Sequence, residues 1–309
     1  MSPEYDVLVA GEINPDLILS GIGLGQRFEQ QEVLVENAAL TIGSSSAIFA
    51  CGAARLGLRV AFIGVCGDDI FGKFMLDSMA ERGVDVRPVI IDPDQPTGLS
   101  VILNHVSNRV ILTYVGSIAA LLAEQVSDDW LARARHLHIA SYFLQTGLQA
   151  GLPDLFRRAR SLGLSTSLDP NWDPTGEWRG MTPALEIPTI FFPNEAEALA
   201  LTQAESVADA AQALAAQAQV VAVKLGAQGA FARSGDQVVR AAALPVQVAD
   251  TVGAGDSFDA GYIYGYLDNW PLEASLKLAV ACGSLSTRAF GGTDAQPTLP
   301  EAIQAAGLA

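Results

Sequence analysis

Residues Val248–Gly261, VADTVGAGDSFDAG, place Gly253, Ala254 and Gly255 directly ahead of a segment that can start a helix. Small residues leave backbone N–H groups uncovered. A helix start turns those donors, and its positive dipole end, toward one point that suits a phosphate. Asp256 follows at once. A carboxylate would repel a phosphate bound there for its own sake. It makes sense if a substrate hydroxyl lies between the two and gives its proton to Asp256 while attacking a phosphoryl group. The helix start would also keep Asp256 ionised near neutral pH. The same residues fit a glycine-rich turn with an aspartate cap, and spacing alone does not separate the two readings.

Other groups share this polar character. Asn194 and Glu197 lie three apart just after the apolar run Thr189–Phe192. On the first turn of a helix they share a face, where they can hold Mg2+ through its water shell or form a capping box. Asn14 and Asp16 face one side of an extended strand and can hold neighbouring hydroxyls, or else belong to an Asn-Pro-Asp turn. Gly43 precedes Ser44, Ser45 and Ser46, whose hydroxyls either bind a polar ligand or cap the helix that Ser44–Leu56 can form. Lys224-Leu-Gly226-Ala-Gln-Gly229 follows the apolar run Val220–Val223. Glycines there would let backbone approach a nucleotide, although a strand followed by a glycine turn is common.

The elements that must position these groups alternate along the chain. Tyr5–Gly11 reads as a buried first strand, with further strands at Val60–Val65, His138–Ala140, Ser165–Leu168, Thr189–Phe192 and Val220–Val223. Phe71, Phe74, Met75 and Met79 mark one face of a helix that Gly83 ends, and two helices near Ala254–Leu267 and Leu272–Ala289 close the pattern. The alternation predicts a single-domain α/β sandwich with a mostly parallel sheet. Residues 13–41 and 97–115 break the rhythm with the strand-like pieces Asp16–Ser20, Glu32–Val35, Leu99–Asn104 and Arg109–Tyr114. Such pieces are expected to form a small β lid over the site, and their exposed edges to favour a homodimer.

Composition narrows the classes. Of 309 residues, 50% are hydrophobic and 17% charged, enough apolar material for a large core and a poor match to disorder. The net charge of −16 is scattered with no basic cluster, which argues against nucleic acid as a ligand. A phosphate can still be neutralised by backbone N–H groups and a metal. Cys51, Cys66 and Cys282 are far apart in apolar stretches and read as core residues. His105, His136 and His138 fall outside the motifs. With no signal-peptide layout and no membrane span, the expected compartment is the cytoplasm.

DTVGAGDSFDAG resembles the C-terminal signature of the ribokinase-like (PfkB) carbohydrate kinases. Nearly the whole chain is similar to that family, in order: Gly11-Glu-Ile-Asn14-Pro-Asp16, Ala53-Ala-Arg-Leu-Gly57, Gly64, Gly67-Asp68-Asp69-x-x-Gly72, Asp169-Pro-Asn171, Asn194-Glu-Ala-Glu197 and Lys224-Leu-Gly226-Ala-Gln-Gly229. The resemblance implies a ribokinase-like three-layer sandwich and an ATP-dependent phosphotransferase acting on a hydroxyl of a small sugar. It implies Gly253, Ala254 and Gly255 as anion hole and Asp256 as base. It puts Asn14, Asp16, Gly43, Ser44 and Ser45 at the sugar, and Asn194, Lys224, Gly226, Gly229, Gly255 and Ser284 at ATP. Mg2+ would be held at Glu197 and Asn194 through water, with Asp169 and Asn171 ordering the surrounding network. In some members a monovalent cation such as K+ binds at a position matching Asp250, near Gly291 and Gly292.

The chain also departs from the family. Ser44 and Ile48 stand where it usually has Gly and Asn, which unsettles a pentose assignment. Asp173 stands where 2-keto-3-deoxy sugar-acid kinases often carry Arg, and Lys224 where the family often has Thr. A nucleoside kinase of the same superfamily, a sugar-acid kinase and a non-catalytic sugar or nucleotide sensor are the alternatives. Intact Asp256, Asn194 and Glu197 argue against the sensor. A dinucleotide oxidoreductase does not fit, because no GxGxxG follows the first strand; Gly21-Ile-Gly23-Leu-Gly25 lies in the lid region.

Overall fold

The computed structural model describes residues 3–20, 32, 34–105, 108–181 and 188–308. A nine-stranded sheet runs through them in the order Gln237–Ala241, Ala230–Ser234, Val220–Lys224, Ile190–Phe191, Ser165–Leu168, Ala134–Ile139, Tyr5–Ala10, Val60–Ile63, Val84–Asp85. Neighbours are parallel except at one edge, where Ala230–Ser234 pairs antiparallel with both its neighbours. All six residues of Tyr5–Ala10 are buried, as a parallel strand covered on both faces must be. Val7 and Val9 enter one apolar cluster, Leu8 and Ala10 the other.

Helices Ser45–Arg55, Ile70–Glu81, Ala254–Leu267 and Leu272–Ser286 cover the first face; Leu152–Ser161, Glu195–Thr202 and Val207–Leu214 cover the second. This is the expected three-layer α/β arrangement. The stripe on Ile70–Glu81 buries Met75 and Met79, and Gly83 leaves the helix at φ 86°. Among the described residues, no helix is long and apolar enough to cross a membrane.

A second sheet has the order Asn37–Ile42, Pro15–Ser20, Leu99–His105, Asn108–Tyr114. One expected strand is corrected. The described residues of 32–35 lie outside any strand, and pairing with Pro15–Ser20 falls to Asn37–Ile42. Asn37, Ala38 and Ala39 have little strand propensity of their own; cross-strand partners supply what local sequence does not. Residues 21–25 lie outside the described residues.

His136 and His138 are fully buried on Ala134–Ile139. His136 meets the hydroxyls of Ser165 and Ser167, each at 2.7 Å. Burial, aided by Arg135, pushes its imidazole down to about 3. The unfolded chain therefore takes up a proton below about pH 6.5 that the folded chain refuses, so this contribution is complete above that pH and lost as pH falls toward 3. The stability difference between wild type and His136→Gln should shrink by about 1.4 kcal/mol per pH unit below pH 6.5. Urea unfolding of both from pH 7 to 5 checks this; a constant difference counts against it.

Candidate active site

The motif residues gather at the carboxyl ends of the parallel strands, where open α/β sheets bind ligands. Asp169 follows Ser165–Leu168, Asn194 follows Ile190–Phe191, and Lys224 ends its own strand. Beyond Tyr5–Ala10 the chain passes through buried Glu12 and Asn14 into Pro15–Ser20, which carries Asp16 into the second sheet. Asn14 Nδ2 donates to Ser100 Oγ at 3.3 Å. Gly43 is required beside Asp16, because a β-carbon there would fall 2.2 Å from Asp16 Oδ1.

Ser44 sits at φ 63°, a backbone conformation that favours glycine. Its hydroxyl donates to Glu12 O at 2.7 Å and accepts from Ala47 N at 3.0 Å, so it caps helix Ser45–Arg55. Ser45 Oγ accepts from Asn171 Nδ2 at 3.0 Å. Glu12, which the motif reading passed over, is 2% exposed and accepts from Ser46 Oγ at 2.5 Å and Ser141 Oγ at 2.9 Å. A charged residue at the end of an apolar strand was the signal that could have found it.

Asn194 and Glu197 form the full capping box: Asn194 N donates to Glu197 Oε2 at 2.8 Å and Glu197 N to Asn194 Oδ1 at 2.9 Å. They also line the cavity described next. Burial and the Asp169 charge, against the pull of Lys224, raise Glu197 to about 7. A cation would relieve that repulsion, which fits a hydrated Mg2+. No cluster of three metal-ligating acidic, His or Cys side chains occurs among the described residues, so the fit is to a water-shelled ion with a single carboxylate, not a protein cage.

Gly253, at φ 72°, leads into helix Ala254–Leu267, whose first turn has no side-chain cap. A β-carbon at Gly253 would lie 2.7 Å from Gly292 Cα, so the two loops meet backbone to backbone. Asp250 ties them together, accepting from Val252 N and Gly291 N, both at 3.1 Å. Asp256 is 7% exposed. The expectation that the helix start keeps it readily ionised is corrected. Burial first, then the Asp169 charge, push its carboxyl well above the usual range, while Lys224 and a Ser45 hydrogen bond oppose them.

Two cavities meet here. The first, about 490 Å3, is lined by Asn14, Asp16, Ser44, Ser45, Asp169, Asn171, Asn194, Glu197, Lys224, Gly226, Gly253, Gly255 and Asp256. Ile48, Ile102, Ile111 and Trp172 add an apolar wall that the motifs did not indicate. The second, about 500 Å3, is lined by Gly229, Ala254 and Ser284 with Leu244, Val246, Phe258 and Val280, a slot of a kind that suits a flat base. Lys224, Gly226, Thr251 and Gly255 border both. Gly43 and Asp250 line neither cavity; Gly43 packs against Asp16, and Asp250 joins the two glycine loops. Asp173 turns into its own loop, accepting from Thr175 N at 2.8 Å and Trp178 N at 2.6 Å.

Known proteins resemble this chain in sequence and fold. A 2-dehydro-3-deoxygluconokinase of Bacillus subtilis is 33% identical, over 81% of each chain. Among solved structures, an adenosine kinase from Sinorhizobium meliloti is 26% identical, with TM-score 0.84 over 99% of this chain and 100% of that one. An E. coli protein assigned as ribokinase II and solved with ATP and Mg2+ shares the fold, with TM-score 0.87 at 24% identity over 99% and 100% of the two chains. The sequence pattern of the pfkB family carbohydrate kinases matches residues 6–299, almost everything from the first strand to the last helix, and this chain belongs to that family.

Proposed function

We propose that this kinase transfers the terminal phosphoryl group of ATP to a hydroxyl of a neutral, furanose-like sugar, with Asp256 as the base. The observation that carries the reading is the position of Asp256: it lines the first cavity, next to the Gly253–Gly255 loop where the second cavity begins. Asn14 and Asp16 hold sugar hydroxyls, and Ser44 and Ser45 narrow that end. The apolar slot beside Ser284, Gly226 and Gly229 takes the adenine. Glu197, supported by Asn194, holds Mg2+ through water, and the ion neutralises phosphate charge when bound. Asp256 accepts the hydroxyl proton as the oxygen bonds to the terminal phosphorus. The bond from that phosphorus to the bridging oxygen breaks, and ADP leaves with the electron pair. Backbone N–H groups of the Gly253–Gly255 loop face the charge that develops.

A nucleoside acceptor is the second reading, favoured by the apolar wall of Ile48, Ile102, Ile111 and half-exposed Trp172. A sugar acid has less support from this position, since Asp173 stands where such kinases often carry Arg and, turned into its own loop, offers no cation to a substrate carboxylate. Measuring ADP release with neutral sugars, nucleosides and 2-keto-3-deoxy sugar acids decides among them; no release with any acceptor would overturn the kinase reading. The same assay in K+ and in tetramethylammonium, at equal ionic strength, tests a monovalent cation at Asp250 and the Gly291 loop. Equal rates would remove it.

The second sheet serves as a lid, since Asp16, Ser100, Ile102 and Ile111 reach the first cavity from it. Its edge strands expose Leu40, Val110, Leu112 and Tyr114. Paired lids of two copies would cover them, so the active form is a homodimer. Light scattering at micromolar concentration should give the dimer mass; a monomer counts against it.

A further inference from the structure

The geometry points to Lys224 as a fixed cation for phosphoryl transfer, anchored between Asp169 and Asp259 so that its ammonium meets the phosphate passing between the two cavities. This rests on the kinase reading and adds two things to it, a charge that touches the transferred group and a carboxylate that aims that charge. The Lys224 side chain is only 14% exposed, with Nζ 2.6 Å from Asp169 Oδ2 and 3.5 Å from Asp259 Oδ1. It also lies against the anion loop, because a β-carbon at Gly255 would sit 3.4 Å from Nζ. An ammonium carries three protons. Asp169 takes one of them in a hydrogen bond, and Asp259, an ion-pair partner that accepts none among the described residues, leaves the ammonium a proton for a phosphate oxygen.

Asp259 is the less expected member. It is fully buried, and among the described residues no hydrogen bond reaches either carboxyl oxygen. Such a group is costly unless a charge compensates it, and Lys224 is the counter-charge. Asp259 lies three positions after Asp256, on the same face of the helix that starts at the anion loop. Asp169 alone would draw the ammonium toward the sheet; Asp259 holds it against that helix. Lys224 also acts on the base, since its charge opposes the upward push that burial gives the Asp256 carboxyl. Lys224 is therefore catalytic in the strict sense of touching the phosphate, and Asp259 is a positioning residue.

The test compares wild type with Lys224→Met, Asp259→Asn and the double variant Lys224→Met/Asp259→Leu. Affinities for ATP and AMP are measured by calorimetry, together with kcat and the pH profile of kcat/KM. Lys224→Met should weaken ATP binding roughly 10- to 100-fold and leave AMP, which lacks the β- and γ-phosphates, unchanged. Its acid limb should move to higher pH, because the base loses a neighbouring cation. Asp259→Asn should lower kcat by roughly 10-fold at unchanged AMP affinity, with the ammonium misplaced rather than absent. The apolar double replacement should melt at or above the wild-type temperature, as replaced buried ion pairs often do, yet keep the ATP defect. A folded double variant with wild-type ATP affinity and turnover would show that the group is only structural and overturn the proposal. The ATP-against-AMP comparison needs no acceptor, so it still reads the Lys224 contact if the kinase reading fails for want of a phosphorylated product.

Discussion

Asp256→Asn should fold, melt at a higher temperature than wild type, bind nucleotide at least as tightly, and turn over roughly 10²–10⁴-fold more slowly. The loss in rate follows from the role: asparagine keeps the size and reach of the side chain and cannot take the hydroxyl proton. The gain in stability follows from burial. In the folded chain Asp256 holds its proton to a pH well above the usual carboxylate range. Between its unfolded and folded values the folded state binds the extra proton, so the group favours folding as pH falls and opposes it as pH rises through the folded value. Above both, a buried charge remains, and asparagine removes it. The direction of the shift suits catalysis, because it raises the proton affinity of the base above that of an ordinary carboxylate. In wild type the acid limb of kcat/KM should therefore lie above the ordinary range for a carboxylate. A merely structural Asp256 would give the opposite pair of results, lower stability and retained turnover. Melting curves and steady-state rates on one preparation separate the two.

The sheet and its two helical layers were legible because they rest on local signals: the fully apolar Tyr5–Ala10, the helical stripe through Met75 and Met79, the glycines at helix ends. The convergence of Asn14, Asp16, Asn194, Lys224 and Asp256 was legible through motif order, since each lies just past a buried strand or at a helix start. What stayed hidden depends on partners distant in sequence. Asn37–Ile42 becomes a strand only through pairing with Pro15–Ser20. Glu12 takes its meaning from Ser46 and Ser141, and Asp259 from Lys224. Ser44 read as a replaced glycine, yet its positive φ survives because the hydroxyl spans Glu12 O and Ala47 N. The proton affinity of Asp256 was misjudged for a like reason. A helix dipole can be read from local sequence, whereas desolvation and the Asp169 charge come from the packed site.

Asp16→Ala should raise the KM for the sugar by about 10- to 150-fold and leave ATP affinity within a factor of two. The estimate comes from the contact: a hydrogen bond between a buried hydroxyl and a charged group is worth about 1.5–3 kcal/mol, and about 1.4 kcal/mol is tenfold in affinity. Asp16 is 6% exposed and lines the first cavity, and it takes no part in lining the second. Gly43 fixes where the carboxylate lies, since any larger residue there would collide with it. Removing the carboxylate therefore subtracts a sugar contact while the anion loop and the adenine slot keep their shape. Turnover at saturating sugar should fall less than kcat/KM, because Asp256 and the Gly253–Gly255 loop remain in place. Asp16→Asn should recover part of the loss, as an amide keeps one acceptor for a sugar hydroxyl. An Asp16→Ala variant that kept its sugar KM and lost ATP affinity would reverse the assignment of the two cavities.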